Sequence, residues 1–449
     1  MAIRDVVLTL IVFGLLPLCL LRPWIGVIVW SWLGYMNPHK LCWGFARTLP
    51  FAEIVAVAVL LGILIFKDKE RRFLPMCVET WLLLGLWAQY TLTTFLAWYP
   101  DEAWPQWDKV SKILLFTFLS IVYLQTRDRI RVMFLTVALS LGFYGVKGGI
   151  WSFRTMTLGS SHVMGPEGTF IGGNTEMGLA LVMILPFILI LARKEPRQWV
   201  RKLLNIAFCL TIVAAIFTYS RGAMIGLPVV LVMLFLRSQH RIIGVLAIII
   251  FYVFMTHFPP QEWFNRMQTI QTYEQDKSAQ MRLESWQVAW KLGLDHPFTG
   301  GGFWVLPHDE VFDKYLREYI RSQSAHSIYF AVLGDHGFVG LGLFVGIILT
   351  CFISLTRLKW RARNNPDAGW VVDYCQIVET SLMAYVISGA FLTLAYWDLF
   401  YHLVSFVIIL KAIYSRDYLH SPEAIRLSSP NVFRMPLQTT PHWKHDPSL

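Results

Sequence analysis

Charge is scarce in this sequence: Asp, Glu, Lys and Arg make up 15% of its 449 residues, well below the ~25% of ordinary soluble domains. With 55% hydrophobic residues and a mean hydropathy of +0.50, that deficit excludes a soluble enzyme and a disordered chain. Cysteine is thin and scattered: Cys19, Cys42, Cys77, Cys209, Cys351 and Cys375 form no CxxC pair, so neither a disulfide framework nor a zinc site is implied. A P-loop and a nucleophile elbow are both missing. No small-residue cleavage site follows the first apolar run, which ends Leu20-Leu21-Arg22-Pro23, so residues 1–21 read as an uncleaved span. An internal repeat is also missing, which weighs against an inverted-repeat transporter. The net charge of +10 could suggest nucleic acid, but membrane proteins concentrate Lys and Arg in short loops on one side. No nucleic-acid partner is expected.

What is present is a series of apolar stretches of about the ~20 residues that a bilayer requires. Basic loops recur at 67–72, 127–131, 193–202, 237–241 and 357–363, and by the positive-inside rule they are cytoplasmic. The intervening connections at 98–104, 151–174, 220–222 and 258–327 are poor in Lys and Arg and face outward. Spans fall near 51–66, 79–97, 109–125, 130–150, 175–192, 203–219, 222–236, 242–257, 328–356, 376–396 and 398–414. Residues 6–36 read as one further span interrupted at Arg22-Pro23, since proline breaks or kinks a helix. The expected fold is therefore an all-α polytopic membrane protein of about twelve transmembrane helices, GT-C-like, with a helical periplasmic cap counted between the tenth and eleventh spans. Thirteen spans with the N-terminus outside is the alternative. The expected units are an N-terminal transmembrane bundle (1–257), the cap (258–327), C-terminal transmembrane helices (328–414) and a poorly ordered cytoplasmic tail (415–449). Membrane lipids are its surroundings.

A few polar residues break the apolar pattern on the outward side. Arg221, in Tyr219-Ser220-Arg221-Gly222, sits at a tight hairpin turn between two uncharged helices, against the positive-inside bias. It either snorkels to the headgroups or forms an anion site for phosphate. Arg282 opens the amphipathic stretch Arg282-Leu283-Glu284-Ser285-Trp286, where it is a solvated residue paired with Glu284 or Asp276 unless the neighbouring turn Asp295-His296-Pro297-Phe298-Thr299-Gly300-Gly301-Gly302 brings it to a ligand. His326, where the cap re-enters the membrane, can accept a proton near neutral pH, or else is held by hydrogen bonds at a helix terminus. His336 reads as a packed polar residue. Lys147 and Arg154 flank Gly148-Gly149, read as a turn beside a helix end, and with Arg221 they form a receptor for a lipid-linked phosphate. Glu274 and Asp276 are too common a pattern to argue for a metal, and nothing points to a cofactor. Trp263, Trp286, Trp290 and Trp304 in the cap suit headgroup anchoring or sugar stacking.

The order Thr218-Tyr219-Ser220-Arg221-Gly222-Ala223, Arg282 with Trp286, His296-Pro297 with Gly300 and Gly302, Ala325-His326-Ser327, then Gly334 to Gly337, resembles the bacterial O-antigen ligase and polymerase superfamily. It covers the stretch from Lys147 to Gly340. Ser327 stands where many members have asparagine, and Asp295-His296-Pro297 where many have Asn-Pro. The resemblance implies an inner-membrane glycosyltransferase that moves a glycan from an undecaprenyl diphosphate-linked donor to a sugar hydroxyl of the lipid A core at the periplasmic face, in lipopolysaccharide biosynthesis. It also implies that His326 is the base and that Arg221 and Arg282 bind the diphosphate, in a metal-independent inverting transfer. An O-antigen polymerase and a protein O-oligosaccharyltransferase share that donor; a lipid-linked glycan transporter is a different class and would need ionisable groups deep inside its spans.

Overall fold

A computed structural model describes residues 3–66, 71–155, 162–237 and 277–419. Among these residues the regular structure is entirely helical, with no strand. Six helices among the described residues are long and apolar enough to cross a membrane: Ile3–Leu21, Arg127–Thr155, Asn174–Lys194, Gln198–Ile216, Ile328–Arg363 and Asp398–Leu419. The expected span at 242–257, the cap before Lys277, Trp263, the acidic pair Glu274 and Asp276, and the tail beyond 419 lie outside the described residues.

The fourteen α-helices among the described residues are α1 (Ile3–Leu21), α2 (Pro23–Met36), α3 (Phe51–Ile65), α4 (Val78–Phe95), α5 (Pro100–Tyr123), α6 (Arg127–Thr155) and α7 (Asn174–Lys194). They continue with α8 (Gln198–Ile216), α9 (Arg221–Leu236), α10 (Lys277–Asp295), α11 (Asp309–Tyr315), α12 (Ile328–Arg363), α13 (Gly369–Gly389) and α14 (Asp398–Tyr414). Helices α3, α5, α7, α9, α12 and α14 begin at one end of the bundle, called here the cap end. The opposite end carries the Lys/Arg-rich loops and is the basic end.

Helices that are apolar all round belong in the middle of a bundle. Helix α7 obeys this, buried without interruption from Met177 to Ile188, and so does α14 from Asp398 to Leu410. Peripheral helices instead expose apolar side chains such as Leu10, Leu64, Leu139, Leu203 and Leu349. Such an outer surface suits lipid, not water.

The interruption at Arg22-Pro23 is sharper than a kink. Arg22 leaves helical geometry, and α2 folds back so that a Cβ on Gly26 would lie 3.1 Å from the Cys19 Cβ. The Asp5 carboxylate, near the start of α1, accepts hydrogen bonds from the backbone of Gly44 and Ala46 at 3.0 and 2.9 Å. Residues 6–36 are thus a helical hairpin, not one long span, and the start of α1 shares the cap end with segment 37–50. That is the arrangement of the thirteen-span alternative. A second expectation is also corrected. Gly148 and Gly149 are inside α6, not at a turn, and a Cβ on Gly149 would come within 2.4 Å of the Leu210 carbonyl of α8. The pair exists for close helix packing.

Helix α12 is broken near its start at Gly337, whose φ of 67° and ψ of −170° are not helical. Such a break strands backbone groups, each of which costs several kcal/mol inside a bilayer unless satisfied. Here the 296–302 turn fills the gap. Gly301 and Gly302 N–H donate to the Gly334 and Asp335 carbonyls, both at 2.9 Å, and Phe338 N–H donates to the Pro297 carbonyl at 2.8 Å. Gln89 of α4 adds a bond to the Phe298 carbonyl at 2.6 Å. The loop is thereby built into the helix bundle. Beside it, Val288, Leu292, Val305, Leu306 and Phe312 form a small separate core that holds α10 and α11 together.

Candidate functional site

A cavity of about 510 Å³ lies at the cap end, where the 304–307 and 324–326 segments face α5, the approach to α7 and the 393–396 connection. His326 borders it, together with Lys109, Glu176, Trp304, Asp335 and Tyr396.

His326 sits between two fully buried neighbours, Ala325 and Ser327, just before α12 begins. Its φ of 44° is left-handed, a conformation that costs a non-glycine residue about 1–3 kcal/mol and is concentrated at functional sites. From below, Trp286 of α10 pins this corner: its Nε1–H donates to the Ala325 carbonyl at 2.7 Å while its ring stacks on Phe330 at 5.0 Å. Burial, and then the positive charge of Arg282, push the His326 imidazole down from 6.5 to about 4. The ring is therefore neutral at ordinary pH, with a lone pair available to take a proton.

Arg282 lies one helical turn before Trp286 and so on the same face of α10, which is why its charge is felt at His326. Arg221 is the first residue of α9, behind the N-cap Ser220, whose Oγ accepts from Ala223 N–H at 3.2 Å. The turn before it is held by Tyr219 at a φ of 55° and by Asn174 Nδ2, which donates to the Thr218 carbonyl at 2.8 Å. A Cβ on neighbouring Gly222 would stand 3.0 Å from the Ser388 carbonyl and 3.5 Å from Phe391. The Phe391 ring also approaches Trp286, with centroids 6.4 Å apart. Arg282 thus lies close enough for its charge to act on His326, and the turn at Arg221 is tied to the same region through Phe391 and Trp286, but of the three only His326 borders the cavity. Lys147 and Arg154 are exposed on α6 and do not border the cavity.

Other sequence expectations resolve individually. His336 is a packed polar residue: fully buried, its Nδ1 is 2.7 Å from Thr93 Oγ1 and its ring lies against Tyr90. Glu284 is occupied by the Ile320 N–H at 3.1 Å. Trp286 proves to be a structural pin, and Trp290 packs edge-on against Phe338, whereas Trp304 borders the cavity in a left-handed conformation.

Reading the sequence missed Asp335, Tyr396, Lys109 and Glu176. Asp335 stands at the helix break, its carboxylate accepting from Tyr396 Oη–H at 2.7 Å. It adjoins His336, and nothing in the sequence shows that the helix breaks just after them, at Gly337. Lys109 and Gln106 share a face of α5 and both border the cavity, a pattern that was visible as a glutamine and a lysine three residues apart at the outer start of a span.

Residues 206–345 match the family described as O-antigen ligase, and this stretch holds Arg221, Arg282, His326 and Asp335. Residues 3–196 match a family of unknown function. No curated protein matches the chain. The candidate spans among the described residues and the O-antigen ligase match together point to a multi-pass membrane protein of glycosyl-transfer type. Residues 206–345 are thus an O-antigen ligase domain, which supports membership of the O-antigen ligase superfamily.

Proposed function

We propose that this protein is an inner-membrane O-antigen ligase: it transfers a glycan from undecaprenyl diphosphate to a sugar hydroxyl of the lipid A core at the periplasmic face. The observation that carries the reading is His326, a neutral imidazole on the wall of a 510 Å³ cavity, within reach of the charge of Arg282. His326 takes the proton from the acceptor hydroxyl as its oxygen attacks the anomeric carbon. The bond from that carbon to the phosphate oxygen breaks, and the electron pair leaves with undecaprenyl diphosphate. Arg221 and Arg282 stabilise the charge that develops on the departing diphosphate, because guanidinium matches phosphate oxygens in a bidentate manner and stays charged. A single displacement inverts the anomeric centre. In this topology the cap end is periplasmic, and with the hairpin at residues 6–36 about thirteen spans carry the cap above the membrane. The chain's own base and cations supply each role, so the transfer is metal-independent.

Binding of the diphosphate also alters the base. An imidazole at about 4 is a weak proton acceptor, but a bound diphosphate offsets the Arg282 charge and raises it, so His326 is strengthened once donor is in place. The test is purified protein in detergent with an undecaprenyl diphosphate-linked glycan, lipid A core and a chelator. The expected result is a heavier core lipid that disappears with His326→Ala. Glycan lengthening on the donor lipid instead would identify a polymerase, and product only with a protein hydroxyl would identify a protein O-oligosaccharyltransferase.

A further inference from the structure

We propose that Lys109 is a phosphate-binding residue of this site, so that the region matching a family of unknown function supplies part of the donor pocket. Lys109 lies on α5, in the same cavity as His326, whereas Lys147, Arg154, Arg221 and Arg282 do not border it. Its position fits a lipid headgroup: nine residues into a 24-residue helix, it lies about 14 Å below the start of α5 at 1.5 Å per residue.

Lys109 differs from the next basic residue on its helix. Lys112 is held by Asp108 at 2.7 Å and Glu53 at 3.6 Å. No carboxylate among the described residues lies within 4 Å of Lys109, and its ammonium stands 3.7 Å over the Phe170 ring. The buried Asp398 carboxylate acts on Lys109 from beyond that distance, and a cation held over an aromatic face at the wall of a cavity keeps N–H donors for an incoming anion. Glu176 and Asp335, the two carboxylates bordering the cavity, are engaged by Thr175 Oγ1–H at 2.8 Å and by Tyr396. The chemistry that fits Lys109 is a phosphate group, as a compact ammonium serves as a point charge beside guanidinium forks.

The inference rests on the ligase reading and is tested by binding, separately from turnover. Purified wild type, Lys109→Met and Lys109→Arg are titrated with undecaprenyl diphosphate, neutral undecaprenol and inorganic pyrophosphate. Methionine keeps the apolar stem over Phe170, so loss of packing does not confuse the result, and Lys112→Met serves as the control on the same helix. Lys109→Met is expected to weaken undecaprenyl diphosphate binding about tenfold or more, with undecaprenol unchanged, Lys109→Arg near wild type and Lys112→Met unaffected. Pyrophosphate that competes with the lipid in wild type places recognition in the phosphates; pyrophosphate that binds but spares the lipid overturns the assignment. Equal diphosphate affinity in wild type and Lys109→Met overturns the role of Lys109 and leaves the donor assignment standing. Failure of wild type itself to bind undecaprenyl diphosphate overturns both.

Discussion

The two ends of the bundle treat charge in opposite ways. At the basic end, buried carboxylates are consumed by internal pairs: Glu79 takes Lys411 at 2.7 Å and Ser354 at 2.5 Å, and Glu379 takes Lys359 at 2.5 Å and Arg237. Around the cap-end cavity, His326 and Lys109 face open space, and the left-handed backbone of His326 and Trp304 is tolerated beside them. A satisfied charge network fixes helix register and does no chemistry. Unspent charge next to a cavity is the pattern of a site, as intramembrane ionisable groups are costly unless they serve function.

Substitutions at the two ends should therefore separate activity from stability. The largest effect is expected from His326→Ala: transfer falls by about 10²–10⁴, the usual contribution of a positioned base, while the thermal transition in detergent stays near wild type. Comparable activity in a folded sample would remove His326 from the mechanism. The reverse is expected at the basic end. Glu379→Ala leaves Lys359 and Arg237 without their shared carboxylate, and breaking a buried pair in this way costs about 3–5 kcal/mol. Thermal unfolding should show the loss, and turnover per folded molecule should not change.

Gly337 tests the join between the two behaviours. A side chain there meets a φ of 67° and would place its Cβ 2.6 Å from the Pro297 carbonyl. Gly337→Ala should cost about 1–3 kcal/mol from backbone strain alone. It should also lower transfer, because the displaced 296–302 turn holds the Asp335 backbone beside the cavity. A variant that lost stability with full turnover would show that the broken helix is purely structural.

The contrast between the ends also explains what could be read from the chain. Long apolar periods announced α3, α7, α9 and α14 almost to their ends, because a bilayer forces whole helices and basic loops mark one side. The hairpin at Arg22 was misjudged because proline predicts a break but gives no angle; the contact of Asp5 with the 44–46 backbone decides it. Arg221 stood out against the apolar outward pattern, while Arg282 and His326 were singled out chiefly through the family resemblance, and of the three only His326 borders the cavity. Lys147 and Arg154 are exposed and do not border it, on a helix whose Gly145, Gly148 and Gly149 pack against α8. Asp335 was hidden for a further reason. Its access to the cavity depends on a helix break that a glycine permits but does not announce, and on a turn more than thirty residues earlier that fills it.

The smallest effect sharpens the comparison most, because it asks whether the cap-end charges act on one another across open space. The neutral state of His326 is set first by burial and then by Arg282. A histidine lowered to about 4 from 6.5 is neutral, and competent as a base, at every pH well above 4. The acid limb of kcat/KM, which reports the free enzyme, should therefore lie near 4, with activity flat from there to neutrality. Arg282→Gln removes the repelling charge but keeps the burial, so the limb should move upward, part of the way toward 6.5. Its absolute rate also falls through lost diphosphate binding, so the diagnostic is where the limb lies and not the height of the profile. The same linkage gives a sign for stability: the unfolded chain protonates this histidine first, so wild type loses stability as pH falls from 6.5 to 4, and Arg282→Gln loses less. An acid limb unmoved by Arg282→Gln would mean that burial alone sets the base, and that Arg282 acts on the substrate and not on His326.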